Sequence, residues 1–244
     1  LIIKIFVKIE IFLYHQSDLI ISVTNGFKTE LSNRGIDPKK IKVVHNGVDL
    51  DKYIPISKKD FEFSERYNLS QKFVVGYIGT QGIAHELKNV IKSAEILKEN
   101  HRIHFIFAGS GADNLNLKQE VKDLELKNVT FIPTQPKENM PRIWSLCDIS
   151  LVHLKNSKIF ESVIPSKIFE SMAMGLPIII STPKGEATNL VEMHNAGISA
   201  SPESPHDLAE KILDLSNNKK MLEFYSRHGV QGAQHFNRKN LSLE

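Results

Sequence analysis

Cysteine is almost absent from this chain. Its 244 residues include one, Cys147, so no intramolecular disulfide can form. That fits a reducing compartment, and the single thiol reads as a small buried hydrophobe. Clustered metal ligands are lacking too. The ten histidines are scattered, and neither an H-E-x-x-H pattern nor a cysteine pair occurs. No Ser-His-Asp arrangement is recognisable, and "GSG" at 109–111 is not the G-x-S-x-G nucleophile turn. Charge of one sign is scarce as well. Lys and Arg number 31 against 28 Asp and Glu, a net charge of +3 spread along the chain. This is no nucleic-acid stripe, but it is compatible with phosphorylated ligands or an anionic membrane surface.

Long apolar runs are also missing. The opening "LIIKIFVKIEIFL" is too short for a membrane span and is interrupted by Lys4, Lys8 and Glu10. It lacks the small-residue cleavage site of a signal peptide. Two readings stay open: a helix that packs on something outside this chain, or one that lies at a membrane interface. The chain opens on Leu1 rather than Met and stops at Glu244 in mid-pattern, so a fragment is expected.

What is present is a regular alternation. "DLIISVT", "NGFKTELSNRG" and "KIKVVHNGVD" read as strand, helix and strand. A polar stretch follows, "LDKYIPISKKDFEFSERYNLSQ", which reads as a connector. Then six strands are expected, at "KFVVGYIGT", "IHFIFAGSG", "NVTFIPT", "ISLVHL", "LPIIIST" and "GISAS". Helical stretches lie between them, and "PHDLAEKILDLSNN" follows the last. Near-continuous apolar strands are covered on both faces, and strand–helix–strand at this spacing predicts right-handed βαβ units. The expected fold is therefore α/β, a Rossmann-like doubly wound parallel sheet. Ligands of such sheets bind beyond the carboxyl ends of the strands.

Three of those loops carry possible chemistry. "GYIGTQG" has glycines at 76, 79 and 82. They would let backbone N–H groups approach a phosphate, but they lack G-x-G-x-x-G spacing. His85, in the same loop, either donates to a phosphate or bonds backbone. "FIPTQP", with Pro133 and Thr134, would edge a base. "VIPSKIFESMAMGLPIII", 163–180, says most. Pro165 fixes a helix entry, Ser166 is a plausible N-cap, and Gly175 and Pro177 stop the helix. The free N–H groups of the helix start and the Lys167 ammonium would converge on an anion. Glu170, three residues on, shares that face, and a carboxylate beside a phosphate site suits a ribose diol.

The segments "VVHNGVDLDKY", "AGSG", "VTFIPTQPKENMPRIWSLCDISLVHL" and "IPSKIFESMAMGLPIIIS" together resemble glycosyltransferase family 4, which has the two-domain GT-B fold. "GTQGIAHEL" and "PSKIFE" are most similar to its L-fucosamine-type transferases of bacterial surface polysaccharide. The resemblance implies a retaining, metal-independent transfer from a nucleotide-sugar, UDP-linked by the subgroup, to a glycan or polyprenol-linked acceptor. No cofactor is implied beyond the donor substrate. It places the end of an acceptor domain at 1–48, a connector at 49–71 and a donor-binding domain at 72–244. It also implies a cytoplasmic protein with peripheral contact at the inner face of the membrane.

Carried over by residue, Glu170 binds ribose, Ser166 and Lys167 contact the diphosphate, and Gly79 and Thr80 form the phosphate-side loop. Val163, Ile164 and Pro165 complete the donor site, and Lys167 with His85 would stabilise the leaving diphosphate. Two departures stand out. Ser162 occupies the position of the family's first motif glutamate, with Glu161 one residue off register. Thr80 stands where the family has arginine. Two other functions remain open on the same fold: a nucleotide-sugar epimerase or hydrolase, and a non-catalytic nucleotide-binding module.

Overall fold

The computed structural model describes residues 2–241. Leu1 and residues 242–244, where the expected segments 1–48 and 72–244 begin and end, lie outside the described residues. The chain starts with α1 (Ile2–Gln16), β1 (Ile20–Ser22), α2 (Asn25–Asn33) and β2 (Ile41–Val43). β1 and β2 pair in parallel with Ile20 opposite Ile41. Thr24 caps α2 by accepting the Phe27 N–H at 3.2 Å, and Gly35 at φ +93° ends its last turn. A small core of Ile20, Leu31, Ile36 and Ile41 holds these pieces, with Ile11 and Tyr14 of α1 against it. The Glu10–Arg34 ion pair, 2.6 Å, ties α1 to the end of α2. The expected opening helix is thus present, but none of its residues is buried. Ile3, Phe6 and Phe12 are 78%, 66% and 60% exposed, so beyond the contacts of Ile11 and Tyr14 much of its apolar surface stays open among the described residues.

The expected connector 49–71 contains a helix, α3 (Phe61–Arg66). Asp60 caps it through the Phe63 N–H at 3.0 Å, and Phe63 and Leu69 are buried against the following domain. The polar lysines around it mask this short apolar anchor in the sequence. Next come β3 (Phe73–Ile78), α4 (Lys88–Ile96), β4 (Ile103–Ala108), α5 (Asn114–Asp123), β5 (Val129–Ile132) and α6 (Met140–Trp144). They are followed by β6 (Ile149–His153), α7 (Lys167–Ala173), β7 (Ile178–Ser181), α8 (Glu186–Met193), β8 (Gly197–Ser199) and α9 (Pro205–Ser216). Each strand expected from its apolar run is there. They form one parallel sheet in the order β5-β4-β3-β6-β7-β8.

The central strands are buried along their length, as in Val74 to Ile78 and Ile149 to His153. Each fully buried Val or Ile there contributes about 1.5–3 kcal/mol. Cys147 lies in one core cluster with Trp144 and Ile143, where burial pushes its thiol well above the usual range. The order reverses between β3 and β6, which makes the carboxyl ends of those two strands the switch point of the sheet.

Among the described residues two further helices follow, α10 (Lys219–Ala233) and α11 (Arg238–Leu241). α10 was not legible in the sequence. Gly229 and Gly232 weaken its helical pattern, but a Cβ on Gly232 would stand 2.7 Å from Met172 Cε, so the glycine permits close packing on α7. Residues 234–241 then run back to the start of the connector, where Val48 and Asn237 form a parallel bridge.

Candidate functional site

Two adjoining hollows open at the switch point. The larger, 610 Å³, is lined by Gly79, Thr80, His85, Ser166, Lys167 and Glu170, with Tyr53 and Arg238 on the far wall. The smaller, 230 Å³, shares Gly79 and Thr80 and continues to Gly109, Ser110, Pro133 and Thr134. The sequence-expected residues Gly79, Thr80, Pro133, Thr134, Pro165, Ser166, Lys167, Glu170 and His85 therefore line one continuous cleft.

Lys167 is the first residue of α7 and is 7% exposed. Its Nζ is buried without a hydrogen-bond partner. It stands 3.5 Å from the centroid of the Tyr77 ring, a cation–π contact that replaces only part of the lost hydration. Burial pulls its pKa down to about 7, against the opposing pull of the Glu170 charge. Glu170 is half-buried, and burial raises its pKa. Lys167 and Arg238 act the other way. The Trp144 indole lies near enough to favour the carboxylate, yet its Nε1 forms no hydrogen bond at normal length. A buried ammonium and a half-buried carboxylate thus face one cleft, neither fully satisfied. Unpaired buried charge costs free energy unless something completes it. An anion at Lys167 and a hydroxyl donor at Glu170 would do so.

The glycine loops work differently from expectation. The Gly79 N–H donates to Ala108 O at 2.9 Å, Gln81 N–H to Ser110 O at 2.8 Å, and Gly109 N–H to Ile132 O at 3.0 Å. These groups stitch the loops together and are not available to a phosphate. What Gly79 supplies is space. It sits at φ +133°, and a Cβ there would lie 3.4 Å from Lys167 Nζ. The Tyr77 hydroxyl donates to Thr80 O at 2.6 Å and fixes the loop over the lysine.

The helix start also departs from expectation. The Ser166 side chain makes no capping hydrogen bond. The Ile168 and Phe169 N–H groups already donate to Pro165 O and Ser166 O at 3.1 and 3.0 Å. Two of the N–H groups of the helix start are thus already paired with nearby carbonyls. Val163 and Ile164 do not line the cleft; Ile164 is 8% exposed and packs in a core cluster with Val152 and Ile168. Its apolar side chain is taken up by the sheet. His85 lines the cleft and also bonds backbone: its Nδ1 lies 3.4 Å from His153 O, while His153 Nδ1 lies 2.7 Å from His85 O. Burial, and next the Lys167 charge, lower the His85 pKa, so its ring is biased to the neutral form.

Ser162 and Glu161 are not in this cleft. They line a separate hollow with α2, and a Cβ on Gly26 would meet Ser162 Cβ at 2.3 Å. Glu186 lies beside them: its carboxylate accepts the N–H groups of Asn25, at 3.1 Å, and of Gly26. Among the cleft residues that sequence reasoning missed are Tyr53 and Arg238. Neither sits in a strand-end loop, and no spacing signal links position 238 to position 170.

The parallel sheet with its cleft at the switch point defines a Rossmann-like α/β domain, the class of fold that binds its ligands at that point. Comparison with known proteins agrees. The family described as glycosyl transferases group 1 matches residues 59–231, and glycosyltransferase family 4 matches residues 2–52. The chain belongs to the glycosyl transferases group 1 family.

Among relatives, spore coat protein SA of Bacillus subtilis is 28% identical over 209 residues, which cover 79% of this chain and 54% of that protein. The UDP-Gal:alpha-D-GlcNAc-diphosphoundecaprenol alpha-1,3-galactosyltransferase of Escherichia coli is 28% identical over 155 residues, covering 62% and 38%. The crystal structure of Anabaena HepE in complex with UDP-glucose superposes with a TM-score of 0.84 at 18% identity, covering 97% of this chain and 65% of that one. TarM superposes with a TM-score of 0.77 at 15% identity, covering 97% and 45%. The chain spans between 34% and 56% of the length of the curated relatives it matches. No helix among the described residues is long and apolar enough to cross a membrane.

Proposed function

We propose that this chain is the nucleotide-sugar-binding part of a retaining, metal-independent glycosyltransferase of bacterial surface polysaccharide synthesis. The observation that carries this is the Lys167 ammonium, buried, without a hydrogen-bond partner, and facing a 610 Å³ cleft shared with Glu170. A diphosphate at Lys167 would neutralise it, and Glu170 would accept from the ribose hydroxyls. The base would enter the smaller hollow at Pro133 and Thr134. UDP is the favoured nucleotide: Anabaena HepE is described with UDP and UDP-glucose on a similar fold.

The leaving diphosphate would be stabilised by a preorganised cation in a site shielded from water, the kind of electrostatic assistance worth about 3–4 kcal/mol per group. Neutral His85, near the same charge, would add a hydrogen bond rather than a second charge. The acceptor is a glycan or polyprenol-linked sugar, and the exposed apolar side of α1 suits a protein that works at the inner face of the cytoplasmic membrane. The assignment to L-fucosamine-type enzymes rests on the "GTQGIAHEL" and "PSKIFE" stretches.

Calorimetry with UDP and GDP tests the reading. UDP is expected to bind and Glu170→Ala to weaken it about tenfold, the worth of one charge-assisted hydrogen bond. If neither nucleotide binds, or Glu170→Ala leaves the UDP affinity unchanged, the assignment is overturned.

A further inference from the structure

Strand β6 ends on a residue that its apolar run does not explain. His153 follows Leu151 and Val152, is buried, and pairs in register with Ser181 of β7. A buried imidazole needs partners for its ring nitrogens. Nδ1 has one, the carbonyl of His85 at 2.7 Å, while Nε2 is buried without a hydrogen-bond partner. A carbonyl only accepts, so Nδ1 carries the proton. Burial brings the His153 pKa down to about 4 and keeps the ring neutral, in agreement with that assignment.

The His85 carbonyl belongs to a single 3₁₀ turn, Ile83–His85, between β3 and α4. Contacts with the end of β6 fasten that turn. His153 Nδ1–H donates to His85 O, Lys155 N–H donates to Ala84 O at 2.9 Å, and His85 Nδ1 lies 3.4 Å from His153 O. The last contact is long, so the backbone of His85 is held more firmly than its ring. Directly after it, Glu86 lies at φ +45°, a left-handed conformation that a residue with a side chain keeps only where its surroundings impose it. The turn leaves His85 lining the cleft, edge-on to Tyr77 with ring centroids 5.9 Å apart. The same Tyr77 ring carries the Lys167 ammonium.

We propose that His153 is a positioning residue: by holding the His85 carbonyl it sets the turn that presents the His85 ring to the donor diphosphate. The inference rests on the nucleotide reading of the cleft. The chemistry asked of His153 is narrow. It donates one hydrogen bond from Nδ1, and its second nitrogen contributes none. Asparagine can offer an amide N–H from nearly the place of Nδ1. Phenylalanine fills the volume of the ring but has no donor, and it would leave the His85 carbonyl without this partner. The two substitutions therefore separate the hydrogen bond from the packing.

Calorimetric titration with UDP tests this on the wild type, His85→Ala, His153→Phe, His153→Asn and the double variant of His85→Ala with His153→Phe, with melting temperatures read alongside. His85→Ala should weaken UDP about tenfold, the worth of one hydrogen bond to a charged group. His153→Phe should weaken it about as much, although the core volume is kept. The double variant should bind within about twofold of His85→Ala alone, because no ring is left to position. His153→Asn should melt lower, since truncation leaves a cavity, and still bind UDP within about threefold of the wild type. Nitrogen-15 spectra of the wild type should show His153 neutral with its proton on Nδ1. Any of three results overturns the inference while UDP still binds the wild type: a proton on His153 Nε2 instead, wild-type affinity in His85→Ala or His153→Phe, or weaker binding by His153→Asn than by His153→Phe. The last is what a role in packing alone would give. Binding of neither UDP nor GDP by the wild type overturns the underlying reading, and this inference with it.

Discussion

Lys167→Met is the substitution with the most informative outcome, because it should strengthen the fold while removing the function. Methionine keeps the length and apolar stem of lysine and discards the charge. In the folded protein, burial brings the Lys167 pKa from 10.5 to about 7. A shift of that size corresponds to about 5 kcal/mol between the charged and neutral forms, at about 1.4 kcal/mol per unit. The Tyr77 contact and local relaxation offset part of it, and replacing buried charge by a hydrophobe typically returns about 1–4 kcal/mol. For a chain of this size each kcal/mol moves the melting temperature by about 2–4 °C. The ligand-free variant is therefore expected to melt about 5–10 °C above the wild type near pH 6.

The sign with pH is fixed. Below pH 7 both the folded and unfolded wild type carry the proton, and the full penalty is present. Between about 7 and 10.5 the folded state sheds the proton while the unfolded state keeps it, so the wild type gains stability as pH rises. The advantage of the variant should shrink across that window and vanish near its upper end. UDP should raise the melting temperature of the wild type and not of Lys167→Met. Scanning calorimetry at pH 6 and 9.5, with and without UDP, reads all of this. A variant that is less stable than the wild type at pH 6 and still stabilised by UDP would refute the argument that Lys167 is an unsatisfied cation awaiting an anion.

The same group makes UDP binding proton-linked. At pH 8, where free Lys167 is largely neutral, binding should take up close to one proton, and at pH 6 almost none; titrations in buffers of different ionisation enthalpy measure it, and the affinity should fall toward tenfold per pH unit above 7. Gly109→Ala should unseat the phosphate-side loop, since the Cβ would stand 2.3 Å from Gly79 O in a backbone at φ +129°; a loss of about 2 kcal/mol in denaturant unfolding and a marked loss of UDP affinity are expected together. The α3 anchor should behave as a modest surface element. Asp60 caps α3 and accepts Arg142 Nε at 2.7 Å, so Asp60→Ala should cost about 1–2 kcal/mol and Arg142→Ala about 1 kcal/mol or less, by urea melts. Arg142 first, then the Phe63 N–H, hold the Asp60 pKa down against burial. Its contribution is therefore present above the ordinary carboxylate range and is lost as pH falls through the lowered folded value.

Much of this molecule is written locally. The runs "KFVVGYI", "IHFIFA" and "ISLVHL" are apolar at every position or nearly so, and such segments find burial only in the middle of a two-sided parallel sheet. The i, i+3 spacing puts Lys167 and Glu170 on one helix face before any tertiary contact exists. The opening helix was legible as an apolar run broken by Lys4, Lys8 and Glu10.

Other features depend on partners distant in sequence. Lys167 is strained as a cation because Tyr77 and Gly79, some ninety residues earlier, close over it; nothing around position 167 encodes that desolvation. Ser166 reads as a cap, but its side chain makes no capping bond, and the next N–H groups turn onto nearby carbonyls. Val163 and Ile164 read as site residues by adjacency, yet the sheet takes Ile164 into its core. α10 hid behind Gly229 and Gly232, whose value is close approach to Met172, a gain that helix propensity does not contain. Arg238 comes to line the same cleft as Glu170 only because Gly47 and Val48 accept the returning strap of residues 234–241. Sequence by itself determined the sheet, its order of elements and the helix face that meets the cleft, because burial periodicity is a local property. Tertiary structure decided which charges lose their water and which distant residues stand against them, because desolvation is set by whatever the fold packs alongside.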